Sequence, residues 1–178
     1  MRMLVSAALV LSVLAGQSLA AEPAKTAPKV VLKSADGKKS YDLEKLVADG
    51  PVLVRLTCAC SGCDQELPYF KKLQEAYNGK GLQTLAVFQE KPEAASNYVV
   101  NKDLKFLWLA DPDRTAWKTF EATEMPTNIL IAKGGKVVKV LSGCTRDGKN
   151  AQTLSNEVAR LLKTDPAQIT DKKLTEKK

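Results

Sequence analysis

Histidine is absent from the 178 residues, which removes imidazole acid–base catalysis and every metal site that needs a histidine ligand. No long hydrophobic run follows the first twenty or so positions, and there is no internal repeat and no sign of a second domain. Cysteine is sparse, but three of the four fall within six residues, in "LTCACSGCDQELPYF" from Leu56 to Phe70. A chain of this length buries an ordinary core without covalent staples, so these thiols are not required for stability.

With 27 Lys+Arg against 20 Asp+Glu, the formal charge is +7. The excess is spread along the chain, with a local concentration in the terminal "DKKLTEKK". That tail has no interleaved aromatics and no apolar face, so it reads as a solvated end and not as a nucleic-acid or membrane patch. The N-terminus has Arg2, then an apolar run from Met3 to Gly16, then Ser18 and Ala20 at the −3 and −1 positions of a small-residue cleavage site. This pattern predicts a secretory leader over 1–20. A spanning helix needs roughly 20 apolar residues, so no stable membrane insertion is expected once the leader is removed. No cysteine follows the leader, which leaves lipid attachment without a residue. The expected location is periplasmic or secreted, where paired cysteines can persist as disulfides.

Residues 21–29 are rich in Ala, Pro and Lys and read as a linker; the domain is expected over 30–163 and a disordered basic tail over 164–178. "VVLKSADGKKSYDL" reads as two extended pieces around the Asp36-Gly37 turn, "YDLEKLVADG" as a short helical turn closed by Gly50, and "PVLVRLTC" as a buried central strand. From Cys63 the period changes, with Leu67, Phe70, Leu73 and Tyr77 on one face of an amphipathic helix that ends at Asn78-Gly79. Pro68 lies inside it and predicts a kink. Strands in "LQTLAVFQ" and "KFLWLA" then alternate with helices in "KPEAASNYVVNK" and "RTAWKTFEA". "TNILIAKGGKVVKVLSG" is a hairpin around Gly134-Gly135, and "NAQTLSNEVARLLK" a closing helix. The order predicts an α/β domain, a central mixed sheet with helices on both faces and an N-terminal hairpin extension.

Cys60-Ser61-Gly62-Cys63 falls where the buried strand gives way to the helix. There Cys60 lies beneath unpaired backbone N–H groups, a position that favours a thiolate. Cys63 is one turn further on, within reach of a mixed disulfide formed at Cys60. The same spacing occurs in half of a zinc site, but a closed site needs four ligands. Here it would have to recruit Cys58 and the distant Cys144, and Cys58 is separated from Cys60 by a single residue.

"PVLVRLTCACSGCDQELPYFKKLQEAYNGKGLQTLAVF" and "LADPDRTAWKTFEATEMPTNILIAKGGKVVKVLSG" resemble the thioredoxin-like family, in particular its exported TlpA/ResA-type members and the neighbouring AhpC/TSA redoxins. The resemblance covers about Val30 to Lys163. It implies a thioredoxin-like fold and a thiol-disulfide oxidoreductase in which Cys60 attacks and Cys63 resolves. It also implies a cis bond before Pro126, with Met125 and Pro126 meeting an extended substrate, and Glu66 as a proton relay. Protein thiol or disulfide substrates and a redox partner protein are expected, with no nucleic acid. A monomer is expected, without cofactor or resident metal.

Several positions depart from the family. Ala59 stands where it has Trp, Val54 where thioredoxins keep a buried acid, and Arg55 where it has Phe. A charge in that strand must reach water or pair with an acid. The further pair, Cys58 and Cys144, is brought together by the family's topology, which implies an accessory disulfide; exchange between Cys144 and Cys60, or two independent thiols, are the other possibilities. Four cysteines allow three pairings. Two further functions compete. One is a thiol peroxidase of the AhpC/TSA type, in which Cys63 would take the peroxidatic position but Cys60 replaces the family's threonine. The other is a Cu(I) carrier using Cys58, Cys60, Cys63 and Met125, soft ligands suited to that ion.

Overall fold

The computed structural model describes residues 25–34 and 36–170. The expected leader over 1–20 and the end of the basic tail, 171–178, lie outside the described residues. Among those described, no helix is long and apolar enough to cross a membrane.

The chain opens with an antiparallel hairpin, β1 (Val31–Lys33) and β2 (Ser40–Asp42), with Leu32 opposite Tyr41. Gly37, at φ +70°, makes the turn with its N–H on the Ser34 carbonyl. Asp42 then caps α1 (Leu43–Asp49), its side chain accepting the Glu44 N–H at 3.0 Å, which satisfies one of the donors that a helix start leaves unpaired. Strand β3 (Val52–Thr57) follows and is buried at every position. It lies at the centre of a five-stranded sheet in the order β5-β4-β3-β6-β7. Strands β4 (Gln83–Phe88) and β5 (Leu107–Ala110) run parallel on one side of it; β6 (Thr127–Ile131) and β7 (Val137–Ser142) lie on the other side, each antiparallel to the strand before it in the sheet.

Alternation along the strands sorts the core into two layers. Val52, Val54, Leu56, Leu85, Val87, Ile129 and Ile131 face α1 and α5 (Thr115–Thr119), together with Leu32 of the hairpin. Leu53 and Leu130 face α3 (Leu67–Tyr77) and α6 (Lys149–Leu162), while Ala86 and Phe88 meet α4 (Pro92–Asn101). A strand flanked on both sides and covered on both faces reads as a nearly continuous apolar run, as "VLVRLT" does apart from Arg55 and Thr57. The mixed sheet, the helices on both faces and the N-terminal hairpin are as expected. Asp111 anchors α5, its carboxylate accepting the Thr115 and Ala116 N–H groups at 2.9 and 2.8 Å.

Three expectations change. The helix beginning near Cys63 is not one kinked rod but two pieces, α2 (Ser61–Asp64) and α3. Pro68 falls in the first turn of α3, where its missing N–H has no ladder partner to lose and its φ suits a helix start. The linker joins the fold as well: Thr26 bridges Lys136, and the Ala27 N–H bonds the Gly135 carbonyl at 2.8 Å. The packed chain also continues past Lys163. Ile169 is fully buried under α3 and α6, and Ala167 is held by Tyr77 Oη, which accepts its N–H at 3.0 Å, and by Ser155 Oγ, which donates to its carbonyl at 2.7 Å. Ala167 and Ile169 are therefore packed against the domain, while Thr164, Asp165, Pro166 and Gln168 beside them are exposed. An Ile169→Ala variant is expected to lose about 2–5 kcal/mol of stability, the usual cost of a large-to-small change at a buried site; urea denaturation measures it.

Candidate functional site

Strand β3 ends at Thr57, and the chain passes through Cys58, Ala59 and Cys60 before α2 begins. Cys60 is the N-cap residue, and its carbonyl accepts the N–H groups of Cys63 and Asp64 at 3.1 and 3.3 Å. It is exposed, whereas Cys58 and Cys63 are 5% and 3% exposed. The helix start expected at Cys60 is present, but it continues for a single turn. The field at its end is correspondingly small, because a macrodipole sums over aligned peptides.

The three sulfurs lie within 4.8 Å of one another. Cys60 is bonded to Cys58, two residues back. Cys63 is a free thiol whose Sγ lies 3.3 Å from Cys58 Sγ. The bonded partner of Cys60 is thus not the Cys63 that the spacing suggested. Cys63 sits on the inner side of α2 and backs onto a small cavity lined by Arg55, Thr57, Tyr98 and Phe106. The expected Cys58–Cys144 bridge is likewise not formed. Cys58 is already engaged, and Cys144 is a half-buried free thiol after β7, lying within the electrostatic reach of Glu66 and Cys63. Burial, reinforced by the negative charge of Glu66, pushes the Cys144 thiol above its ordinary value. Fully reduced, Cys58, Cys60 and Cys63 would offer three soft ligands to a metal such as Cu(I); Cys144 is outside that group, so the four-thiolate zinc set is not assembled.

Arg55 meets its burial with an acidic partner, although its Nη2 makes no hydrogen bond among the described residues. Its side chain is 2% exposed and pairs through Nη1 with Glu66 Oε2 at 2.8 Å, Glu66 being 1% exposed. Nη1 also donates to Asn128 Oδ1 of β6 at 2.9 Å, and the guanidinium stands 4.5 Å from the centre of the Phe70 ring. The other Glu66 oxygen accepts a long bond from Thr145 Oγ1, 3.4 Å. Glu66 is the N-cap residue of α3, at the break after α2, so the pair ties the cysteine segment to the central strand. Beside Cys63, Asp64 accepts a bond from the Tyr98 hydroxyl and pairs with Lys102 at 2.7 Å. Burial would raise the Asp64 carboxyl, but Lys102 and Tyr98 outweigh it and hold it below the usual range; burial and Asp64 together push the Tyr98 phenol far upward.

The Met125–Pro126 peptide bond is cis, as expected. Because Leu56 lies opposite Thr127, the segment just before β6 passes the end of β3 beside the cysteines. Pro126 is buried, its carbonyl accepting the Gly143 N–H at 2.9 Å, and Met125 is half-buried against the core. Sequence reasoning singled out both Arg55 and Glu66 but did not pair them, and it missed Asn128. Asn128 had a signal, an amide inside the apolar run "TNILI"; the Asp64–Tyr98–Lys102 cluster had none.

Two outcomes follow from these contacts. An Arg55→Met variant leaves Glu66 buried without its cation and is expected to lose about 3–5 kcal/mol, much of it regained when Glu66→Leu is added, since breaking a buried pair costs more than replacing both members. Paired chemical denaturations of the single and double variants measure this. With its thiol raised and half-buried, Cys144 should be alkylated at pH 7 at least about tenfold more slowly than an unperturbed cysteine, gaining reactivity only as pH rises past the ordinary thiol range; timed iodoacetamide labelling read by mass spectrometry tests it.

The redoxin family model matches residues 22–156. A thiol-disulfide oxidoreductase ResA of Bacillus cereus is 34% identical over 120 residues, 67% of this chain and 69% of that protein. Among solved structures, a putative thiol:disulfide interchange protein DsbE from Chlorobium tepidum superposes with a TM-score of 0.69 at 23% identity, covering 78% of this chain and 96% of the other. A putative thioredoxin from Neisseria meningitidis gives 0.67 at 28% identity, covering 82% and 95%. The buried strand leading into the cysteine turn and the cis-proline segment beside it thus occur in a chain that belongs to the redoxin family, as a thioredoxin-like thiol-disulfide oxidoreductase of the TlpA/ResA type.

Proposed function

We propose that the chain exchanges disulfides with partner proteins outside the cytoplasm, with Cys60 as the attacking thiol and Cys63 as the resolving one. The observation that carries this is the exposure of Cys60 between two buried cysteines whose sulfurs it can reach. Exchange needs one sulfur open to a bulky disulfide and a second one withheld from it, so that the mixed disulfide is resolved from within. Cys60 thiolate attacks a partner disulfide, one partner sulfur leaves, and a protein thiol then displaces the other. The partner gains two electrons and the protein loses two.

Met125 and Pro126 are the proposed docking point for the partner. They lie at the end of β3 beside the cysteines, and Pro126 has no N–H to compete for the sulfur. Glu66 is the proposed acceptor of the Cys63 proton, being a carboxylate in the same buried layer one turn beyond it. The leader pattern over 1–20 supports an extracytoplasmic site of action. The exposures favour exchange over peroxide reduction: Cys63, which takes the peroxidatic position, is buried, and the open sulfur is Cys60.

Dithiothreitol-coupled reduction of insulin provides the test. In Cys60→Ser the rate should fall to that of dithiothreitol alone. A Cys60→Ser protein as active as the wild type would remove the reading.

A further inference from the structure

Two-cysteine exchange leaves Cys58 without a task, yet Cys58 is the sulfur the other two share. It is bonded to Cys60, and its Sγ is 3.3 Å from the free Cys63 thiol. That separation falls in the roughly 3–3.5 Å range at which reacting atoms are poised. The exposed member, Cys60, is the one that a partner can reach; Cys58 and Cys63 are withheld from it. We infer that Cys58 is a third redox-active thiol, a second resolving cysteine that accepts the disulfide from Cys60 and passes it inward to Cys63. This rests on the reading of Cys60 as the attacking thiol.

The steps balance. Cys60 thiolate attacks a partner disulfide; the Cys60–partner bond forms, the partner bond breaks, and one partner sulfur leaves and takes a proton. Cys58, as thiolate, attacks Cys60 Sγ; the Cys58–Cys60 bond forms, the second partner sulfur leaves and is protonated, and the protein is oxidised by two electrons. Cys63, as thiolate, attacks Cys58 Sγ; the Cys58–Cys63 bond forms and Cys60 leaves as thiolate. In this last step no electron is gained or lost, and the proton given up by Cys63 matches the one Cys60 takes up.

The consequence is functional. The oxidised protein holds its disulfide between two buried sulfurs while Cys60 is again a free, exposed nucleophile. In that form it can open a mispaired partner disulfide and be released by another of the partner's own thiols, shuffling bonds without net transfer. Reversal of the inward step returns the bond to Cys58–Cys60, where a dithiol protein reduces it.

Wild-type protein supplies the first test, free of any risk of misfolding. The protein is oxidised, quenched in acid and alkylated under denaturing conditions, and the peptide 56–71 that trypsin leaves after Arg55 is fragmented to locate protected cysteines. Cys58 should be protected in the oxidised molecules, with Cys60 protected in some and Cys63 in others. Oxidised molecules in which Cys60 and Cys63 are protected and Cys58 labelled would overturn the inference. The second test is a single turnover with a model protein disulfide. With its own resolving route lost, Cys63→Ser should release reduced partner more slowly than the wild type but still release it through Cys58, whereas Cys58→Ser/Cys63→Ser should accumulate at least about tenfold more mixed disulfide than Cys63→Ser, both resolving thiols being gone. If Cys63→Ser alone accumulates as much as the double variant, Cys58 does not resolve. That result, with Cys60→Ser inactive, would defeat the role of Cys58 alone; an active Cys60→Ser would defeat the exchange reading beneath it.

Discussion

A guanidinium in the middle of a fully buried strand is the constraint around which the site is arranged. Arg55 cannot reach water from β3, and an uncompensated charge there would cost several kcal/mol. Its acid is Glu66, at the break between α2 and α3, with Asn128 of the adjacent strand and the Phe70 ring completing the enclosure. One interaction therefore joins the sheet, the start of α3 and the segment that carries the cysteines. A buried ion pair adds little net stability over an apolar replacement, but it is intolerant of misplacement. Here it sets where the chain leaves β3 and where α3 starts, and so where Cys63 faces.

The sulfurs divide according to that placement. Cys60 faces solvent on a one-turn helix, and Cys58 and Cys63 face inward within contact of each other. Cys144, on the return strand side, is close enough to Glu66 to feel its charge but is not in the cluster. Thiol exchange depends on access and on thiolate fraction together. The fold supplies access at one position and proximity at two others, and the raised Cys144 thiol is set aside from both.

Much of the architecture was legible because it rests on short-range regularities. The apolar run of β3, the three-to-four spacing of α3 and the Gly134-Gly135 hairpin each announce their element within a dozen residues. Two boundaries were misplaced for a common reason. "AEPAKTAPK" and the residues after Lys163 carry no periodic signal, yet Thr26 pairs with Lys136 and Ile169 fills a space between α3 and α6. Irregular segments are recruited by surfaces elsewhere in the chain, and nothing local predicts it. Pro68 was visible, but its consequence depended on whether the helix began before or after it.

Local sequence dictates which chemistry is available: no imidazole, a cysteine turn after a buried strand, a proline segment before the penultimate strand, and a charged residue needing a partner. It carries that much because hydrophobic period and turn chemistry act over a few residues. Packing settles which groups meet. Arg55 finds Glu66 at a separation of 11 residues and Asn128 at 73, and Cys58, rather than Cys144, becomes the neighbour of Cys60 and Cys63. Such pairings follow from which side chains are forced out of water together, and that is a property of the packed layers and not of any stretch of chain.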